Sequence, residues 1–296
     1  GVEYVAFDLR EEGEADPGLL GPIFQELTDR FQSGDLTPLP VRTVRMADAG
    51  DAFRHMARAE HIGKIVLVPG GAGHLLDRGG WTVVTGGRGA LGLATARWLV
   101  ERGARHLALL SRTAPTGDAA RIVEELRTVE DADVRTVQAD VTDAGELQDA
   151  LSELRATGRP IVGIVHAAGV VDDVMLPELD DARLEAVMAP KVSGAWNLHR
   201  ATIDDPVTCF LMYSAAGPIL GAGGQGNYAA ANGFMDALAT HRRTRGLPGV
   251  SVLWGPWEGA GMAEGLDETQ RRRWERFGLE WWTTETGSVA LDQLLG

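Results

Sequence analysis

Tyr228 and Asn232 stand four residues apart in Gly-Asn-Tyr-Ala-Ala-Ala-Asn, one helical turn, so their side chains share a face. An apolar run over residues 207–213 reads as a strand that ends at Ser214, and a glycine-rich stretch separates it from Tyr228. A hydroxyl at a strand end and a phenol at a helix start can converge on one point. That pairing suits protonation of a carbonyl oxygen while hydride arrives at its carbon. A phenol with a pKa of about 10 is a weak acid at neutral pH and needs a nearby cation to stabilise its anion. Lys191, upstream in Ala-Pro-Lys-Val-Ser-Gly-Ala-Trp-Asn-Leu, is the candidate.

These groups need a rigid frame, and the pattern from residue 81 onward supplies one. Strands are expected at 81–85, 106–111, 134–139, 161–167, 207–213 and 251–254. Helices are expected at 90–102, 117–129, 143–156 and 226–245, with a helix or broken pair at 181–202 around Pro190. Apolar strands alternating with helices imply an α/β fold, a doubly wound Rossmann-type parallel sheet, with ligands at the carboxyl ends of its strands. Residues 1–69 read as a separate small α+β unit. It has strands at 2–9, 41–46 and at the end of 61–68, and helices at 17–31 and 49–59, the second with Phe53 and Met56 inward. The glycine-rich stretch 70–80 is the expected linker, and 81–296 the larger domain.

Thr85-Gly-Gly-Arg-Gly-Ala-Leu-Gly92 follows the first strand of that domain and opens a helix. Glycines at 86, 89 and 92 allow the backbone to approach a pyrophosphate resting on the helix N-terminus. Gly87 and Leu91 belong to the same turn. The second strand ends Leu-Leu-Ser111-Arg112, without the acid that would hold a ribose 2′-hydroxyl. Arginine instead suits a 2′-phosphate, with Arg88 beside it, so the cofactor is read as NADPH. A solvated strand-end charge is the plainer reading of Arg112. Asp140-Val141 follows the third strand, where an adenine edge would lie; Asp140 could instead cap the next helix, although Thr142 and Asp143 already compete for that job. His166-Ala167-Ala168-Gly169 follows the fourth strand. Its small residues admit a cofactor, and with no second ligand at suitable spacing His166 reads as a packed histidine rather than a metal site.

Composition narrows the class. A net charge of −14 argues against nonspecific nucleic-acid or anionic-membrane binding. No apolar run is long enough to span a bilayer. The opening residues are not a signal peptide, and the lack of an initiator methionine suggests a piece of a longer chain. Cys209 is the single cysteine, expected in the core; it permits neither an internal disulfide nor a cysteine-cluster metal site, and a cytoplasmic location is expected.

Residues 81–296 resemble the β-ketoreductase domain of type I polyketide synthases, within the short-chain dehydrogenase/reductases. The resemblance rests on residues 85–92, His-Ala-Ala-Gly-Val-Val-Asp-Asp (166–173), Pro-Lys-Val-Ser-Gly-Ala-Trp-Asn-Leu (190–198), Gly-Gln-Gly-Asn-Tyr-Ala-Ala-Ala-Asn (224–232), and Gly-Leu-Pro (246–248) leading to Trp-Gly-Pro-Trp (254–257). Short-chain reductases usually carry lysine four residues after the tyrosine. These domains carry asparagine there and an earlier lysine, as at Asn232 and Lys191. The resemblance implies that Tyr228 donates the proton, Ser214 binds the same oxygen, Lys191 lowers the phenol pKa and holds the nicotinamide ribose, and Asn232 supports the lysine and a relay water. The implied substrate is a β-ketoacyl chain linked through phosphopantetheine to an acyl carrier protein, with other domains of the same synthase as partners. Val171-Asp172-Asp173 resembles the Leu-Asp-Asp signature of B-type members, which give the D-hydroxyl. Two departures stand out: Tyr213 occupies the place of a usual serine, and the interval from Ser214 to Tyr228 is one residue longer than usual. A silent structural or carrier-docking domain, an epimerase of the α-carbon, against which the intact tetrad argues, and the ketoreductase of a type I fatty acid synthase are the rival readings.

Residues 1–69 resemble the carboxyl-terminal part of a polyketide-synthase enoylreductase, through residues 1–9, 36–41 and 52–67, without that family's glycine turn. No reductase activity of its own is expected there. The basic aromatic stretch 269–277 lies where the family has a mobile lid, and either a lid or a solvated helix face fits it. Trp281-Trp282 reads as packing.

Overall fold

The computed structural model describes residues 18, 20–37, 39–45, 49–68, 79–217, 223–258 and 281–295. It divides into two compact units, Gly1–Gly70 and Gly71–Gly296. In the first, α1 (Leu20–Ser33) and α2 (Ala49–Ala57) accompany a parallel pair, β1 (Val41–Arg45) and β2 (Lys64–Val68). Here one expectation fails: Phe53 is 60% exposed and Met56 44%, while Ala52 is the buried residue of α2. Among the described residues the strands beside α2 are the five-residue β1 and β2, which offer too little apolar area to cover its helix face. The strand expected at 2–9 lies outside the described residues.

Among its described residues the second unit forms a six-stranded, all-parallel sheet. Its strands are β3 (Trp81–Thr85), β4 (His106–Ser111), β5 (Asp133–Gln138), β6 (Ile161–His166), β7 (Cys209–Ala215) and β8 (Val250–Trp254). Their order across the sheet is β5-β4-β3-β6-β7-β8, with every neighbouring pair parallel. The connecting helices are α3 (Ala90–Glu101), α4 (Asp118–Arg127), α5 (Ala144–Arg155), α6 (Asp181–Lys191), α7 (Ser193–Ala201) and α8 (Gly226–Thr244), followed by α9 (Thr284–Leu295). The chain winds one way from β3 to β5 and the other way from β6 to β8. The reversal leaves a crevice at the carboxyl ends of β3 and β6.

Side-chain alternation gives each face its own core. Val84, Leu107, Leu109, Val165, Cys209, Leu211 and Tyr213 pack with Leu93, Ala96, Trp98 and Leu99 of α3 and Leu291 of α9. Trp81, Val83, Ala108, Leu110, Ile164, Phe210 and Met212 pack on the opposite face with α5, α7 and α8. Both faces being covered explains why β3, β6 and β7 are apolar almost throughout. Asp143 caps α5 by accepting from the Gly145 and Glu146 amides, so Asp140 is left out of that role. The helical stretch around Pro190 is a broken pair, with Val192 between α6 and α7. Trp282 meets Trp254 edge-on at 5.4 Å, in keeping with its expected packing role.

Candidate active site

Strand β7 runs two residues further than expected, to Ala215, so Ser214 lies within the strand rather than just past its end. Strand parity then assigns its neighbours. Ser214 shares the face of Phe210 and Met212, toward α8, while Tyr213 points the other way. The Tyr213 phenol is buried against Thr95 of α3, with a 2.6 Å hydroxyl–hydroxyl contact, and burial pushes its pKa up. The residue that replaces the family's usual serine therefore presents only its main chain to the site. Its carbonyl accepts a 2.9 Å hydrogen bond from Lys191 Nζ.

Lys191 is the last residue of α6 and is 3% exposed. Its ammonium lies 5.2 Å from the centroid of the Tyr228 ring. Burial lowers its pKa to about 7, opposed by the charge of Asp236. Tyr228 sits in the first turn of α8, buried, and burial raises its pKa. Asn232, one turn on, donates from Nδ2 to the Tyr228 carbonyl at 2.8 Å. Ser214 Oγ and Asn232 Oδ1 are buried without a hydrogen-bond partner, as are His166 Nε2 and Gln225 Oε1 nearby. Buried polar groups are normally paired, so these atoms are prepared for a ligand that brings a carbonyl, hydroxyl or water. Lys191, Tyr228 and Asn232 are thus brought together as expected, and Ser214 is turned toward the same face of the sheet.

The glycine turn closes against the ends of β4 and β6. Gly86 adopts φ +68°, and a Cβ there would lie 2.8 Å from the Ala167 carbonyl oxygen. At Gly92 a Cβ would lie 2.4 Å from the Gly86 carbonyl oxygen. The α3 N-terminus has no side-chain cap and no acidic residue in its first turn, which leaves its amides available for phosphate. The Thr85 hydroxyl is 2.7 Å from Nδ1 of His166, its register partner across β3 and β6. His166 is fully buried, and desolvation lowers its pKa to about 3, with the Lys191 charge adding to the effect, so it is a neutral packing residue. Gly87 is buried against Leu109, while Arg88 and Gly89 are exposed and Leu91 half-buried. Ser111 Oγ bonds the Thr113 carbonyl at 2.9 Å, and Arg112 is exposed at the strand end. Asp140 accepts from the Thr142 amide and hydroxyl at 2.9 and 2.8 Å. Val141 is buried against α7, where Gly194 makes the close approach possible. Ala167, Ala168 and Gly169 are half-buried along the crevice. The uncapped helix start, the glycine cradle and the unpartnered Ser214 and Asn232 atoms fit a nicotinamide dinucleotide.

Asp172 and Asp173 make different contacts. Asp172 is paired with Arg183, and Asp173 accepts from Gln225 Nε2 at 3.0 Å. Arg183 and Asn227 were not singled out by the sequence pattern. An asparagine just before the helical tyrosine is a recognisable signal for a helix-start contact. The 269–277 segment and the expected extra residue near 218–220 lie outside the described residues.

Residues 80–259 match the family model for the KR (ketoreductase) domain. The chain belongs to the ketoreductase domains of type I polyketide synthases. Residues 6–67 match the zinc-binding dehydrogenase model, so an enoylreductase-like fragment precedes the ketoreductase. No group of three or more His, Cys, Asp or Glu side chains able to hold a metal ion occurs among the described residues. Over its full length the chain is 43% identical to NorB of the spectinabilin polyketide synthase system of Streptomyces orinoci, and spans 13% of that protein. It is also 43% identical, over 94% of its length, to PikAII of the pikromycin polyketide synthase of Streptomyces venezuelae, of which it spans 7%. Among solved structures, an A-type ketoreductase from a modular polyketide synthase is similar at 39% identity and TM-score 0.69. That match covers 77% of this chain and 47% of the other. No helix among the described residues of this ketoreductase chain is long and apolar enough to cross a membrane.

Proposed function

We propose that this domain reduces a β-ketoacyl thioester, carried by phosphopantetheine on an acyl carrier protein, to the β-hydroxyacyl thioester with NADPH. The observation that carries the reading is Lys191 Nζ 5.2 Å from the Tyr228 ring, beside the unpartnered Ser214 Oγ and Asn232 Oδ1. When bound, NADPH supplies the hydride that the carbonyl carbon accepts. Tyr228 gives its phenolic proton to the carbonyl oxygen, and Ser214 donates a hydrogen bond to the same oxygen. The Lys191 cation favours the phenolate left behind. Asn232 holds the first turn of α8 through the Tyr228 carbonyl and offers Oδ1 to a relay water or the lysine. Thr85, Gly86, Gly87, Gly89 and Leu91 form the pyrophosphate turn, and Ala167, Ala168 and Gly169 admit the nicotinamide half. The exposed Arg88 and Arg112, with no acid at the end of β4, support NADPH over NADH. Val171-Asp172-Asp173 supports B-type reduction to the D-alcohol.

The test is NADPH oxidation with a β-ketoacyl N-acetylcysteamine thioester, followed by chiral analysis. Tyr228→Phe is expected to lower kcat by about 10²–10⁴-fold with its fold intact, and wild type to give the D-alcohol. A wild type that binds NADPH without turnover, or a Tyr228→Phe variant as fast as wild type, sinks the catalytic reading; a dominant L-alcohol sinks the B-type assignment alone. Arg112→Ala is expected to raise the KM for NADPH about tenfold and leave that for NADH unchanged, since only the 2′-phosphate contact is removed.

A further inference from the structure

The Lys191–Tyr228 pair joins two helices that meet nowhere through a covalent link shorter than the whole of α7 and β7. The helices pack directly, Val187 of α6 against Tyr228 and Ala231 of α8, and a second tie between them runs through a chain of contacts in the loop after β6. Asn227 is 1% exposed and uses its amide twice. Its Oδ1 accepts from the Tyr228 backbone N–H at 2.8 Å, and its Nδ2 donates to the Asp172 carbonyl at 3.0 Å. The Asp172 carboxylate in turn takes both Nε, at 2.7 Å, and Nη2 of Arg183. Arg183 lies in the first turn of α6, its own amide bonded to the cap Asp180 at 2.8 Å. Eight residues later the same helix ends in Lys191, about 12 Å along its axis. The path Tyr228–Asn227–Asp172–Arg183–α6–Lys191 therefore closes on itself across the 5.2 Å gap. The neighbouring bonds, Val174 N–H to the Gly224 carbonyl at 2.8 Å and Gln225 to Asp173, tie the same loop to the same helix start.

We infer that Asn227 and Arg183 are positioning residues that set the Lys191–Tyr228 separation, with Asp172 as the node between them. An asparagine is suited to the middle of such a path because one amide both accepts and donates. A bidentate Arg–carboxylate pair is suited to its end because it fixes direction as well as distance. Asp172 thus acts through Arg183 and Asn227 on the proton-donating pair, in addition to any influence on product configuration. The inference rests on the ketoreductase reading for its kinetic consequence, but not for the contacts themselves.

The experiment compares Asn227→Ala, Arg183→Met, Arg183→Lys, Asp172→Asn and the double variant Asp172→Asn/Arg183→Met. Each is measured as kcat against pH with the thioester substrate, alongside the KM for NADPH and the hydrogen exchange of the Tyr228 amide. Asn227→Ala and Arg183→Met are expected to lower kcat about tenfold with the KM for NADPH changed less than twofold. The dependence of kcat on pH near 7, where Lys191 loses its proton, should weaken, because a phenol farther from the ammonium gains less from its charge. Arg183→Lys should restore part of the loss, and the double variant should be no slower than either single one. The Tyr228 amide should exchange about tenfold faster in Asn227→Ala and in Arg183→Met. Wild-type kcat and pH dependence in these variants, or losses that multiply in the double variant, would overturn the inference. If wild type shows no turnover, the ketoreductase reading falls and the exchange measurement still decides: an unchanged Tyr228 amide in Arg183→Met refutes the path.

Discussion

Lys191 shows how far a single buried side chain sets the behaviour of this site. Burial places its pKa at about 7, far below that of a solvated lysine, because the charged form has lost its water. In the unfolded chain the amine keeps its proton to about pH 10.4. Between these values the unfolded state binds more protons, so stability rises with pH across that window, and below about pH 7 the folded protein carries the full penalty of a buried cation. Lys191→Met is therefore expected to stabilise the domain, on the order of 1–4 kcal/mol, while abolishing turnover. Thermal melts should show a larger gain at pH 6 than at pH 9; equal gains would mean that the lysine is not the source. Tyr213 makes the complementary point. It departs from the family pattern, and strand parity sends its side chain to Thr95 and keeps only its carbonyl at Lys191.

Among the elements and their connections, the β3–α3 turn is the least tolerant. Gly92 approaches the Gly86 carbonyl oxygen so closely that a methyl group would stand 2.4 Å from it, against backbone that cannot swing aside. Gly92→Ala is expected to weaken NADPH binding at least tenfold and to destabilise the domain by about 1–3 kcal/mol. Fluorescence titration with NADPH, paired with a melting curve, checks both; tight binding by the variant would show that the turn has room to spare. The β6–α6 loop works differently. It is held by side chains, through Asp172–Arg183 and Asp173–Gln225, and the Asp172–Arg183 pair is about one-third exposed. Its grip on α6 and α8 is adjustable in a way that the glycine turn is not.

For the domain in its entirety, the sheet that carries the site also carries a pH liability. His166 is fully buried and neutral, its pKa near 3 against an ordinary value near 6.5. The unfolded chain takes up this proton as pH falls below about 6.5 and the folded chain does not, so the stability that His166 confers is present above that pH and lost toward pH 3. The expected slope is on the order of 1.4 kcal/mol per pH unit for this one residue. Chemical denaturation of wild type and His166→Asn between pH 7 and 5 separates it from the carboxylates: the difference between the two should narrow on acidification. A constant difference would place the acid sensitivity elsewhere.

Local pattern was enough for the parallel α/β frame and for the local placing of the glycine turn, Tyr228 and Asn232. Strand apolarity, glycine spacing and the Tyr228–Asn232 interval each follow from backbone geometry over a few residues. The glycine turn, the packed His166 and the break at Pro190 were legible for that reason. The facing of Tyr213 was not, because a strand buried on both faces carries no alternation that says which face meets α3. Nor was the exposure of Phe53 and Met56, since the periodicity of a helix shows that it has an apolar face but not whether anything covers it. Asn227, Asp172 and Arg183 lie in three separate segments, and their bonds exist only once β6, α6 and α8 meet at one end of the sheet.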